Sequence, residues 1–232
     1  MNHSTTVRAA LLALALGTLT SATMADDQAP PSQTKVAPAA VATPDAPSKP
    51  AMARPDEPVL PIGSMVPDFT LKTVDGKEIN LTSYRGESVT VLTFLSKNCP
   101  VSRAWHKEIA TIAAEYEKKG VKFLGLMSNS TEKIAEVAPF LVGEGIKFPV
   151  VDDPGNVVAD RLDAIGTPHL YIIDKSGKVV YSGAIDDSTR EPGKVTKPYF
   201  RTALASVVAG QPVAEPSPNA FIGCTIKRVA KT

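Results

Sequence analysis

The strongest constraint on the fold is a change of pattern near the middle of the chain. Residues 89–95 are apolar and β-branched with no charge, as a strand buried on both faces requires. A few residues later Val101, Trp105, Ile109, Ile112, Ala113 and Tyr116 recur at helical spacing up to Gly120, which predicts an amphipathic helix. Residues 121–127 then form a second apolar run. A strand, a helix and a strand in that order make a βαβ unit, which forces a parallel pair. In open α/β sheets the chemistry gathers beyond the carboxyl ends of parallel strands. The residue expected there is Cys99, in Phe94-Leu95-Ser96-Lys97-Asn98-Cys99-Pro100-Val101-Ser102-Arg103.

A thiol at that junction is placed to ionise. Pro100 suits the first helical position, where its missing N–H costs nothing. Cys99 then falls at the N-cap, where free N–H groups and the positive end of the helix dipole favour an anion. An ordinary thiol has a pKa near ~8.5, and a helix N-terminus with nearby cations lowers it by ~1–5 units. Lys97 and Arg103 flank the site and His106 follows. Arg103, four residues after Cys99, shares its helical face; the default for all three basic residues is a solvated surface. The plainer alternative for Cys99 is a buried, inert thiol.

Other segments complete an α/β pattern. Residues 69–76 alternate and turn at Asp75-Gly76, and residues 78–81 close a hairpin. Ile134, Val137, Ala138 and Leu141 mark a second helix ending near Gly143 or Gly145. Residues 148–151 read as a short strand and 157–162 as a short helix. Residues 169–173 and 179–184 flank Asp174-Lys175-Ser176-Gly177-Lys178 as an antiparallel hairpin, and Phe200, Leu204, Val207 and Val208 mark a last helix. The expected fold class is a mixed β-sheet with helices on both faces. Trp105 belongs to the core stripe, and a lone His169 reads as structural. Asp152-Asp153 and Asp186-Asp187 read as turn or cap acids. No His/Cys cluster has metal-ligand spacing, and no cofactor is expected.

The two ends read differently. Arg8, the apolar residues 9–17 and Thr23-Met24-Ala25 resemble an export signal, giving an expected signal peptide at 1–25. The apolar run is too short to favour a permanent transmembrane helix. The expected location is therefore periplasmic or secreted, where a disulfide persists, with no stable membrane insertion after cleavage. Residues 26–61 are rich in Ala and Pro and poor in large apolar residues, as in a semi-extended linker. Residues 62–210 suffice for one domain with a sizeable core, leaving 211–232 as a tail that carries Cys224. A net charge of +1 with no basic stripe argues against nucleic acid as a partner.

Val66-Pro67-Asp68-Phe69-Thr70-Leu71, the stretch from Phe94 to Pro100, Gly166-Thr167-Pro168, Tyr181-Ser182-Gly183-Ala184-Ile185-Asp186-Asp187 and Gly223-Cys224-Thr225-Ile226-Lys227 together resemble the thioredoxin-like redoxins. The chain is most similar to their alkyl hydroperoxide reductase/thiol-specific antioxidant branch. The resemblance implies a thioredoxin-like fold and a cis Thr167–Pro168 bond opposite the reactive cysteine, with the Thr167 backbone facing an incoming thiol or disulfide. Two departures matter. The second cysteine of the thioredoxin motif is Ser102 here, so a dithiol cycle cannot close within the motif. Peroxiredoxins carry Pro and Thr seven and three residues before their cysteine; here those residues are Leu92 and Ser96, which weakens a peroxidase reading while still offering a Ser96 hydroxyl beside the sulfur.

Cys224 is the natural partner for Cys99, since these are the two cysteines of the chain in an expected oxidising compartment. About fourteen residues of tail span roughly 45 Å when extended, against a domain radius of gyration of ~15 Å. A bridge would be either functional, with Cys224 resolving, or a permanent staple; an intermolecular pair is the third option. The function expected is that of an exported thiol-disulfide oxidoreductase acting on protein or small-molecule thiols and disulfides. The alternatives are a peroxiredoxin-like thiol peroxidase acting on peroxide and a non-catalytic thioredoxin-fold binding domain with a structural disulfide. The catalytic candidates are Cys99 and Cys224; the supporting candidates are Ser96, Pro100, Ser102, Arg103, Thr167 and Pro168.

Overall fold

A computed structural model describes residues 60–188, 191–216 and 223–230. The expected export signal and all but the last two residues of the expected linker lie outside the described residues. The described chain opens with an antiparallel hairpin of β1 (Thr70–Lys72) and β2 (Glu78–Asn80). Its turn contains Gly76 at φ +90°, a conformation open to glycine without steric cost. A short helix α1 (Leu81–Arg85) follows, which the apolar pattern did not reveal. Its start is set by Asn80, whose side chain accepts the Ser83 N–H at 2.9 Å, an N-cap that satisfies one orphan donor.

The central layer is built from β3 (Thr90–Leu95), β4 (Lys122–Met127), β5 (Val150–Asp152), β7 (His169–Ile173) and β8 (Val179–Gly183) in the order β5-β4-β3-β7-β8. Strands β3, β4 and β5 run parallel, while β7 pairs antiparallel with β3 and β8 antiparallel with β7. Between β3 and β4 lies α2 (Pro100–Glu117); α3 (Ile134–Gly143), α4 (Val157–Arg161) and α5 (Tyr199–Val208) complete the helices. Strand β5 begins two residues later than the sequence suggested.

Two apolar clusters lie on the two faces of the sheet, because strand side chains alternate with a period of two. Val91, Leu95, Phe123 and Ile172 pack with Trp105 and Ile109 of α2, Leu141 of α3 and Leu204 of α5. Leu92, Phe94, Leu124 and Tyr171 pack with Phe69, Leu81 and Val158 on the other side. Every residue of β3 is buried, and each large apolar side chain so removed from water is worth roughly 1.5–3 kcal/mol. Gly125 in β4 keeps β5 close: a Cβ there would stand 2.8 Å from the Val150 side chain.

Two elements of two residues each escaped the sequence reading, being too short to show any period. They are β6 (Gly166–Thr167) and β9 (Cys224–Thr225), which pair antiparallel with Thr167 opposite Cys224. Through this pair the tail returns to the carboxyl end of β3. Among the described residues no helix is long and apolar enough to cross a membrane.

Candidate functional site

The turn from β3 into α2 is held by short-range hydrogen bonds. The Ser96 N–H donates to the Ser102 hydroxyl at 3.1 Å, and the Ser96 hydroxyl accepts the Cys99 and Asn98 N–H groups at 2.9 and 3.2 Å. That hydroxyl also bonds to the Glu132 carboxylate, which accepts the Lys97 N–H at 2.9 Å. The Ser96 hydroxyl, expected beside the sulfur, accepts its hydrogen bonds here from the backbone of Cys99 and Asn98. A serine reaches the N–H three residues on, and this one caps the backbone of Cys99.

Cys99 is the N-cap of α2 and Pro100 is its first residue. The Cys99 backbone is extended, at φ −78° and ψ 115°, and its sulfur accepts the Ser102 N–H at 3.3 Å. The carbonyl oxygen of Thr167 is also 3.3 Å from that sulfur, and the Thr167–Pro168 bond is cis. With a donor and an acceptor both within 3.3 Å, the Cys99 sulfur has a partner whether it carries its proton or not. Cys99 is 3% exposed and is bonded to Cys224 in a disulfide with Cα atoms 5.8 Å apart, within the usual range.

The tail that presents Cys224 is tied down beyond the sulfur. The Ile226 N–H donates to the Ile165 carbonyl at 3.0 Å, and the Ile226 side chain is buried in the cluster of Leu162 and Ala164. The Lys227 N–H reaches Asn129 at 2.8 Å, and the Val229 N–H reaches Asn156 at 2.8 Å. The Arg228 guanidinium donates to Asp160 at 2.6 Å and to the Ala164 carbonyl at 2.7 Å. Sequence reasoning missed Glu132, Asn129, Asn156 and Asp160, which lie on separate segments and carry no motif.

The basic flank suggested by the sequence is engaged elsewhere. Lys97 pairs with Glu136 at 2.5 Å. Arg103 is exposed, with its guanidinium over the Phe140 ring, 5.5 Å from the centroid; no contact joins it to either sulfur among the described residues. His106 is corrected more strongly: it is fully buried, not a surface cation. Its Nε2 lies 3.1 Å from the Ser102 hydroxyl and its Nδ1 lies 3.8 Å from Glu144. Burial, with a smaller push from the Arg103 charge, lowers its pKa to about 4, so it is neutral. His169 is also buried, stacked on Tyr171 and 3.1 Å from the Ser182 hydroxyl; burial lowers its pKa to about 4. Trp105 is core. Asp153 accepts the Val158 and Ala159 N–H groups at 3.0 Å, and Asp187 accepts those of Thr196 and Lys197 at 2.9 and 3.0 Å, as cap and turn acids do.

The structure thus brings together Ser96, Cys99, Pro100, Ser102, Thr167, Pro168 and Cys224, and leaves Arg103 at the margin. Chemically, the cluster is a disulfide with one sulfur at a helix N-terminus.

A model of the AhpC/TSA family matches residues 62–182; Cys224 lies beyond that match. Thiol-disulfide oxidoreductase ResA of Geobacillus thermodenitrificans is 35% identical over 121 residues, 51% of this chain and 66% of the relative's own length. A more distant relative is a putative peroxiredoxin of Mycobacterium tuberculosis, 25% identical over 51% of this chain and 81% of its own. Among solved structures, a conserved protein of Geobacillus kaustophilus is similar with a TM-score of 0.68 and 32% identity, over 75% of this chain and 95% of that one. The thioredoxin domain of a thiol-disulfide oxidoreductase of Bacteroides vulgatus shares the fold, with a TM-score of 0.51 and 18% identity over 64% of this chain and 99% of that one.

Proposed function

The chain belongs to the AhpC/TSA family, and we propose that it is an exported thiol-disulfide oxidoreductase whose working groups are Cys99 and Cys224. The observation that carries this reading is the bridge between an N-cap cysteine and a tail cysteine, at the carboxyl end of parallel strand β3. In the reduced protein the Ser102 N–H and the free N–H groups of α2 favour negative charge on Cys99. Exchange with a substrate disulfide joins one protein sulfur to one substrate sulfur and releases the other substrate sulfur as a thiolate. The second protein thiolate then closes the Cys99–Cys224 bond and expels the remaining substrate sulfur. Two electrons and two protons pass to the substrate. Thioredoxins place both cysteines in one turn of helix; here Cys224 would do from the tail what the residue at Ser102 cannot.

The relation to ResA supports disulfide chemistry, and the relation to a putative peroxiredoxin favours peroxide as the second reading. Disulfide exchange is preferred because Leu92 and Ser96 replace the peroxiredoxin residues and the Ser96 hydroxyl is spent on backbone N–H groups. Export rests on Arg8 and the apolar residues 9–17. The supporting roles proposed are backbone alignment by Ser96, Pro100 and Ser102 and substrate-side contact by Thr167 and Pro168; Arg103 is the weakest member.

Replacing Cys99 with Ser tests the reading. Dithiol-driven reduction of a protein disulfide should fall to background, as should thiol loss with hydrogen peroxide if peroxide is the substrate. Retained turnover, or a wild-type bridge that survives mild dithiol reductant, would leave a structural staple. Such a staple would be worth ~4–5 kcal/mol by the chain-entropy model for so long a loop.

A further inference from the structure

The two sulfurs of the bridge are not equally open. Cys99 is 3% exposed, with the Ser102 N–H and the Thr167 carbonyl each 3.3 Å from its sulfur and strand β9 paired across β6 beside it. Cys224 is half-buried, and the next residue in its strand, Thr225, is exposed. Thiolate attack on a disulfide proceeds in line with the S–S bond, so the attacking group must approach the far side of the sulfur it strikes. The Cys99 sulfur is crowded by the Ser102 N–H and the Thr167 carbonyl, each 3.3 Å away, and its residue is buried; Cys224 is half-buried beside the exposed Thr225.

The electron count points the same way. Attack on one sulfur leaves the electron pair on the other, and a thiolate that is better stabilised leaves faster. Attack on Cys224 expels Cys99 into the Ser102 N–H and the N-terminus of α2. Attack on Cys99 would expel Cys224, whose sulfur has no hydrogen-bond donor among the described residues.

We infer that Cys224 is the sulfur that an outside thiol or disulfide meets, and that Cys99 is the leaving and resolving thiolate behind it. This rests on the exchange function proposed above and reverses the order that the sequence suggested, in which Cys99 attacks first. The tail stays in place through the cycle because its anchors do not involve sulfur. Ile226, Lys227, Arg228 and Val229 are held by Ile165, Asn129, Asp160, Ala164 and Asn156. In the reducing direction, an incoming thiolate bonds to Cys224, the Cys99–Cys224 bond breaks and Cys99 keeps the pair. A second thiolate then takes the first from Cys224, giving an external disulfide and a Cys224 thiolate that picks up a proton from water.

Glutathione serves as the probe. The oxidised full-length protein is mixed with limiting reduced glutathione, quenched at successive early times with acid and N-ethylmaleimide, and mapped by mass spectrometry. Extrapolated to zero time, glutathione should sit on Cys224 and maleimide on Cys99, in at least tenfold excess over the reverse pattern. Glutathione on Cys99 in equal or greater amount overturns the inference while leaving disulfide exchange intact. No adduct and no loss of the bridge at any glutathione concentration overturns the exchange function itself. Loosening the tail in an Ile226→Ala, Arg228→Ala variant should shift adduct toward Cys99; an unchanged distribution would remove the tail as the cover that protects it.

Discussion

Cys99 and Cys224 meet at one bond, yet opposite means hold them there. Cys99 is fixed mainly from its own neighbourhood: Ser96 three residues before it accepts its N–H, and Ser102 three residues after it donates to its sulfur, with Glu132 and the Thr167 carbonyl added from farther along the chain. Cys224 is carried by a tail whose side-chain anchors lie 64–98 positions away in sequence, at Ala164, Asp160, Asn156 and Asn129. A local seat forms whenever the β3–α2 turn forms. A seat made from the rest of the fold can be weakened without touching the helix. The equilibrium of the disulfide should therefore be set mainly from the Cys224 side, because a bond between two sulfurs forms only as readily as both are held in contact.

Ile226 offers the most direct way to break that asymmetry. Its side chain is 3% exposed, and truncating a buried isoleucine to alanine costs about 2–5 kcal/mol. In the reduced protein that loss falls on tail docking, so Ile226→Ala should lower the equilibrium constant for bridge formation by about thirtyfold to several thousandfold, at about 1.4 kcal/mol per decade. Titration of the bridge against glutathione redox buffers measures it. A change of less than threefold would mean that the bridge holds the tail, and the comparison between the two seats would fail.

Acid should weaken both seats together, because each rests on a buried neutral histidine. His106 contacts the Ser102 hydroxyl behind Cys99, and His169 accepts the N–H of Ile165 at 3.4 Å, whose carbonyl receives the tail. Both folded pKa values lie near 4, below the ordinary 6.5. The unfolded chain therefore binds more protons than the folded one between those values, and stability is complete above about pH 6.5 and falls toward pH 4. Each histidine contributes on the order of 3 kcal/mol at most. Asp186 opposes them: burial raises its pKa to about 6, so its contribution is full below about pH 4 and is lost as pH rises through 6. Burial raises the pKa values of Asp152 and Asp153 in the same sense; the two histidine shifts are larger, and the urea midpoint should drop on acidification from pH 7.5 to 4.5. His106→Gln should flatten that drop by more than half, because one of the two buried bases is gone while the opposing aspartates remain; a slope unchanged by the substitution would show that His106 already titrates normally in the fold.

The legible parts of the sequence were those with a period or a strong local rule. The β3–α2–β4 unit, the β7–β8 hairpin and the N-cap position of Cys99 follow from alternation, helical spacing and Pro100. The pairing of Cys99 with Cys224 followed from cysteine count and reach. The cis bond at Pro168 came from family resemblance, since nothing in Gly166-Thr167-Pro168 alone distinguishes it from an ordinary turn. Hidden were the contacts made by single polar residues across long distances. Glu132 gives no sign in sequence that it will cap the turn before Cys99, and two-residue strands such as β6 and β9 have no period to read. Grouped with Lys97 and Arg103 around Cys99, His106 reads in sequence as a solvated surface charge. Yet it stands one residue from Trp105, four from Ser102 and three from Ile109, on the buried side of α2.

Arg103 gives the smallest expected effect and bears on electrostatics alone. The sequence sets a cation four residues after Cys99, but the guanidinium lies over Phe140 on an exposed side chain. A cation–π contact at such a site is worth about 0.5–1 kcal/mol, and solvent screens its charge from other groups. Arg103→Ala should therefore cost about that much stability, raise the His106 pKa slightly by removing a repelling charge, and change the exchange rate by less than about threefold, since surface charges couple weakly. Stopped-flow exchange with glutathione, alongside urea unfolding, separates the two effects. A tenfold loss of rate at unchanged stability would mean that the guanidinium leaves Phe140 during exchange and stands beside Cys99, so that the local seat, too, borrows its charge from a part of the chain that moves.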